Sequence, residues 1–179
     1  MLREEETEMN KGFDVLRVSN LVIDTAKENG TKLTNLKLQK ILFFLQGFYL
    51  NKYKSRLING TFAKWQFGPV EKEAYNCFKS YGSSAITDEA FDFSPVTLKI
   101  TIIPAISAKE IGSTRFADLK SELIKMLSFP AWKLVELTHK DPSWLNYASE
   151  IKKYSAADYT DQEIEECYLN SFNTQSCED

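Results

Sequence analysis

A chain of 179 residues with 43% hydrophobic residues, 26% charged residues, 7 Gly and 5 Pro has the composition of one globular domain, long enough to bury a core unaided. Its net charge of −3 and pI near 5.4 exclude a global cationic field and disfavour direct nucleic-acid binding. One histidine, His139, and three cysteines without a CxxC pair, Cys77, Cys167 and Cys177, do not make a closely spaced zinc ligand set. No metal or organic cofactor is expected.

Residues 1–12 read as a flexible acidic leader without the basic and apolar regions of a signal peptide. The longest apolar run, Ile41 to Leu45, is far short of the ~20 residues that span a bilayer. A cytoplasmic protein that does not enter membranes is the expectation.

The first helix begins at Phe13 or Ser19 and runs to Asn29, with Val18, Leu21, Val22 and Ala26 at helical spacing and Gly30 as a left-handed cap. The second starts after Thr34 as N-cap and ends near Lys52 to Lys54. Leu38, Ile41, Leu42, Leu45, Phe48 and Tyr49 give it a wide apolar face, broadened by Phe43 and Phe44. Asn59-Gly60 marks a turn, Thr61 to Phe67 a short extended segment, and Gly68-Pro69 the opening of a third helix through Tyr81. Val96 to Ile103 alternates as a half-buried strand that could pair with Thr61–Phe67.

Helix returns after Ser113 or Thr114, from Pro130 to Thr138, near Pro142, and after Thr160. A polar tail follows, with 171–179 read as flexible. The fold class is mainly α: a compact single-domain helical bundle with a small marginal β-sheet or hairpin, its domain spanning 13–170.

No phosphate-cradling GxxxxGK, no GxGxxG, no HExxH and no GxSxG elbow occurs, so no catalytic residue is assigned. His139 reads first as a structural imidazole, with partner contact or catalysis as alternatives. Asn35, Lys37, Gln39, Lys40 and Gln46 read as a solvated helix face, less readily for Gln39 and Gln46, which lie seven apart on one helical side, with Gln46 interrupting an apolar run. Burial there would oblige Gln46 to bond backbone near the Gly68-Pro69 turn. Trp65, Trp132 and Trp144 are expected in the core, with Trp65 as a clamp. Tyr53, Phe91, Phe93 and Tyr147 are aromatics available as partner anchors.

Four segments carry a family resemblance. Leu33 to Gly47, LTNLKLQKILFFLQG, resembles the second-helix signature of the Panacea domain. Phe62 to Val70, FAKWQFGPV, is similar to that family's F-x-A-W-x-Y-G-P-V segment, with the alanine one place early and Phe67 in place of tyrosine. Lys79 to Ile86, KSYGSSAI, continues it, and Leu134 to Trp144, LVELTHKDPSW, resembles the later L-T-H-x-x-x-P-W element with Ser143 inserted. Order and approximate spacing hold from about Val18 to Phe172.

The resemblance implies a mostly helical, SocA-like antitoxin domain of bacterial and phage toxin–antitoxin pairs, which typically neutralises a neighbouring toxin by direct contact. A cognate toxin is then the expected partner. In some members the toxin is presented for proteolysis. A proteolysis adaptor, or a DNA- or host-protein-binding regulator encoded on a mobile element, is the alternative. The motif residues Asn35, Lys37, Gln39, Lys40, Gln46, Trp65, Gly68, Pro69, His139 and Trp144 become structural or partner-contact candidates.

Overall fold

The computed structural model describes residues 11–172, in which nine α-helices and two small two-stranded antiparallel sheets follow one another. The acidic leader over residues 1–10, the tail over 173–179 and Cys177 lie outside the described residues. The first helix, α1 (Val15–Glu28), is capped by Asp14, whose side chain accepts from Leu16 N at 2.7 Å. Gly30 just beyond it has φ +61°. Gly12, read as leader, already packs on the fold. A Cβ there would lie 2.7 Å from the Ile58 backbone, and Phe13 beside it forms a parallel bridge with Ile58.

The central element is α2 (Asn35–Tyr53). Thr34 accepts from Lys37 N at 3.3 Å to start it, and Lys54 in the left-handed conformation closes it. Every residue from Lys37 to Leu50 is buried, so this helix has no solvated face. A helix buried on all sides is the mast of its domain. Phe43 meets Phe44, Phe62 and Tyr159 edge-on, with ring centroids 5.6, 5.4 and 4.9 Å apart, the geometry aromatic quadrupoles prefer.

Around this mast stand the remaining elements. A first hairpin pairs β1 (Phe62–Trp65) with β2 (Gly68–Glu71), and α3 (Lys72–Phe78) follows, capped by Glu71 accepting from Ala74 N at 2.8 Å. A second hairpin pairs β3 (Phe91–Ser94) with β4 (Lys99–Ile102). Then come α4 (Ala108–Ile111), α5 (Ser113–Ser128), α6 (Ala131–Lys140), α7 (Pro142–Leu145), α8 (Ala148–Lys152) and α9 (Asp161–Phe172). The most extensive packing is between α2 and α9. Gly47 permits it, since a Cβ there would lie 2.5 Å from Tyr168 Cβ and 2.8 Å from Ile164 O.

Four expectations are corrected. Gly68-Pro69 does not open a helix. It lies in β2, because the extended φ of proline suits a strand and a two-stranded sheet leaves β2 an edge, where the missing N–H is tolerated. The helix starts three residues after Pro69, at Lys72. The alternating segment pairs with Phe91–Ser94 rather than Thr61–Phe67, and it is exposed rather than half-buried. Helix α9 continues through Ser171 and the buried Phe172, which meets Phe44 at 5.0 Å, past the point where the tail was placed. Trp132 is 67% exposed and Trp65 38% exposed instead of in the core.

Candidate functional site

Asn35, Lys37, Gln39, Lys40 and Gln46 of α2 are all buried, contrary to the solvated face read from the sequence. Each reaches the backbone of a neighbouring segment. Asn35 Nδ2 donates to Tyr75 O at 3.2 Å, and Lys37 Nζ to Leu127 O at 2.7 Å, near the α5 C-terminus where a cation is favoured. Gln39 Oε1 accepts from Glu71 N at 2.9 Å, and Lys40 Nζ donates to Pro69 O at 2.9 Å. Gln46 Oε1 accepts from Leu57 N at 3.0 Å and Ile58 N at 2.8 Å. Backbone groups that would be orphaned inside the protein are thereby satisfied. The clamp on the Gly68-Pro69 segment therefore belongs to Gln39 and Lys40, and Gln46 secures the 57–58 connection instead.

Five of the motif residues converge where β2 crosses α2. Gly68 has φ +89°, and a Cβ there would lie 2.7 Å from Thr138 Oγ1 and 3.0 Å from Lys40 Cε. Only glycine lets the strand approach both the lysine and α6. His139 bonds to the Gln66 backbone and stacks on Trp144, ring centroids 3.9 Å apart at 18°. Trp144 Nε1 donates to Trp65 O at 2.9 Å, and the Trp65 ring meets Tyr75 edge-on at 5.0 Å. Lys40, Gly68, His139, Trp144 and Trp65 thus form one assembly around the β1–β2 hairpin. The inserted Ser143 fits it: Asp141 accepts from Ser143 N at 2.9 Å and from its hydroxyl, capping α7.

Electrostatics follow from burial. Lys40 is fully buried, and desolvation brings its ammonium down from 10.5 to about 7. Burial, with Lys40 close by, also lowers the His139 imidazole. A cleft of about 580 Å³ opens beside this assembly, walled by Leu36, Trp65, Phe67, Tyr75 and Tyr154 with Lys72 at its edge. Among the described residues no three His, Cys, Asp or Glu side chains gather as a metal site would need.

Residues 38–145, well over half of the chain, match the family described as Antitoxin SocA-like, Panacea domain. The chain belongs to this Panacea-domain family. Antitoxin SocA of Caulobacter vibrioides (strain NA1000 / CB15N) is 37% identical over 84 residues, which are 47% of this chain and 45% of that protein. The alignment thus spans under half the length of that relative. No solved structure matches the chain.

The Panacea-domain match begins inside α2 and ends at the close of α7, so it frames the assembly around the first hairpin. It also contains the second hairpin, the feature that sequence reasoning placed least well. Phe91, Phe93, Val96, Leu98, Ile100 and Ile102 are between 50% and 91% exposed. Of the four aromatics proposed as anchors, Phe91 and Phe93 stand free here. Tyr53 bonds Asp118 at 2.6 Å, and Lys64 Nζ lies over the Tyr147 ring at 4.3 Å. Alternation of apolar residues was the available signal. It defines a face without saying what covers it.

Proposed function

We propose that this Panacea-domain protein is an antitoxin that acts without chemistry of its own, neutralising a toxin encoded beside it by direct protein–protein contact in the cytoplasm. The observation that carries the reading is the family match across residues 38–145, which takes in most of the central helix and both hairpins. The similarity to an antitoxin of Caulobacter vibrioides supports it. So does the use of the motif residues: Asn35, Lys37, Gln39, Lys40 and Gln46 hold neighbouring backbone in place and so act as frame. A frame of this kind presents a surface to a partner. Among the described residues no helix is long and apolar enough to cross a membrane, in keeping with a partner in solution.

Co-expression with the product of the adjacent gene tests the proposal. Growth should be restored by this protein, and the two chains should co-purify as a stable complex. Toxicity that persists in its presence would remove the antitoxin reading. Rescue without any complex would remove neutralisation by contact.

A further inference from the structure

We propose that the exposed apolar face of the β3–β4 hairpin is the docking surface for the partner, and that this partner presents an apolar surface edged by basic residues. The inference rests on the antitoxin reading above and assigns it a place on the molecule.

The register puts Phe91 opposite Ile102 and Phe93 opposite Ile100. Cross-strand partners share a face, so these four side chains form one apolar surface, and Val96 and Leu98 extend it into the turn. With all six at half exposure or more, the surface presents roughly 600 Å² of apolar area. That is the upper end of what a monomer leaves open, and it approaches the ~800 Å² that each partner contributes to a standard specific interface. The opposite face, with Asp92, Lys99 and Thr101, is also exposed, so the ribbon stands off the body with both strand edges unpaired. A lone two-stranded ribbon is marginal in water, and further strands or an apolar cover would complete it.

The ribbon is nevertheless held firmly at its base. Asn20, almost fully buried on α1, accepts from Ala90 N at 2.7 Å and donates to Ala90 O at 3.0 Å and Ile103 O at 2.6 Å. Arg17 Nε adds a bond to Pro104 O at 2.9 Å. A fixed base with an uncovered apolar arm is preorganised for docking. At the tip, Leu98 is 75% exposed and takes φ +54°, a conformation costly for a residue with a Cβ. Strain and exposure thus coincide on the same loop.

Charge selects the occupant. Asp24, Asp88, Glu89 and Glu110 stand at the hairpin base and Asp92 on the ribbon, against Lys27, which pairs with Glu89, Arg17, which pairs with Glu110, and Lys99. Burial raises the Asp24 carboxyl, and the neighbouring Glu89 adds to the rise. Two copies meeting through this face would oppose acidic rims, whereas a basic rim would be complementary.

Binding of the full chain to the purified product of the adjacent gene, measured at two salt concentrations, tests the inference. Phe93→Ser and Ile100→Ser should each weaken the complex at least 30-fold, the scale of an interface hot spot, with circular dichroism and Tm at parental values. Phe67→Ser, on the rim of the cleft, should bind like the parent. Asp92→Lys should slow association several-fold at low salt and by less at high salt. Parental binding by both hairpin variants, or loss confined to Phe67→Ser, overturns the docking surface and leaves the antitoxin reading standing. Faster association of Asp92→Lys overturns the basic partner. A dimer of the chain alone that Ile100→Ser dissolves would make a second copy the occupant and overturn the proposal. No complex with the parent chain would remove the docking surface together with neutralisation by contact.

Discussion

The central helix α2 and the β3–β4 hairpin reverse the common distribution of side chains. The helix buries Asn35, Lys37, Gln39, Lys40 and Gln46, while the hairpin leaves Phe91, Phe93, Val96, Leu98, Ile100 and Ile102 in water. The difference teaches that polarity alone does not decide burial. A polar side chain is stable inside when it replaces water on backbone groups that need a partner, and each of the five does so. An apolar face outside is stable only to the extent that its base is held, here by Asn20. One region is complete in the isolated chain, and the other, in the docking proposed above, acquires its cover from a partner.

The sharpest way to break the first half of the comparison is to push the mast away from its neighbours. Gly47→Ala would set a Cβ 2.5 Å from that of Tyr168, against a rigid helix. A loss of about 3 kcal/mol is expected from overpacking, read by urea unfolding. Gln46→Leu keeps the volume nearly constant but leaves Leu57 N and Ile58 N without their acceptor. The expected cost is ~1–3 kcal/mol by the same measurement. A parental midpoint for Gln46→Leu would mean that these bonds hold nothing.

Lys40 permits a test by pH. The unfolded chain keeps this proton up to its ordinary value of 10.5, while the folded chain releases it near 7. Between these values the unfolded state binds more protons, so stability contributed by this group rises with pH. The cleanest window is about pH 7 to 8, above the lowered His139 and below the range where the buried Cys167 and Tyr168, held protonated by burial, pull the other way. Lys40→Met should flatten the rise between these limits in thermal melts, and an unchanged slope would show that the ammonium is not desolvated.

The smallest effect sharpens the second half. Leu98→Asn replaces a strained residue by one that tolerates the left-handed region, and should stabilise the free protein by ~0.5–1 kcal/mol. A lower Tm would show that the tip contributes packing within this chain and is not a free arm.

The sequence made α2 legible because Thr34 caps it and its apolar residues exceed one stripe. Its polar residues were not legible as buried, since helical periodicity alone assigns Asn35, Lys37 and Lys40 to solvent and their acceptors lie 29 to 90 residues away in the chain. Pro69 misled because its fixed φ suits a first helical turn and an edge strand alike, and the packing of Gly68 against Thr138 and Lys40 decides between them. The family motifs pointed to the assembly of Lys40, Gly68, His139, Trp144 and Trp65. They gave no weight to the hairpin, whose alternation was clear and whose exposure depends on the body it projects from.

Hydrogen–deuterium exchange of the whole chain, alone and with the product of the adjacent gene, tests the central claim most directly. The account predicts that the backbone amides of Leu38 to Leu50 are slow to exchange in both states, and that added protection concentrates at Phe91 to Ile102 in the complex. Rapid exchange of the central helix in the free protein, or protection on binding that spares the hairpin, would contradict it.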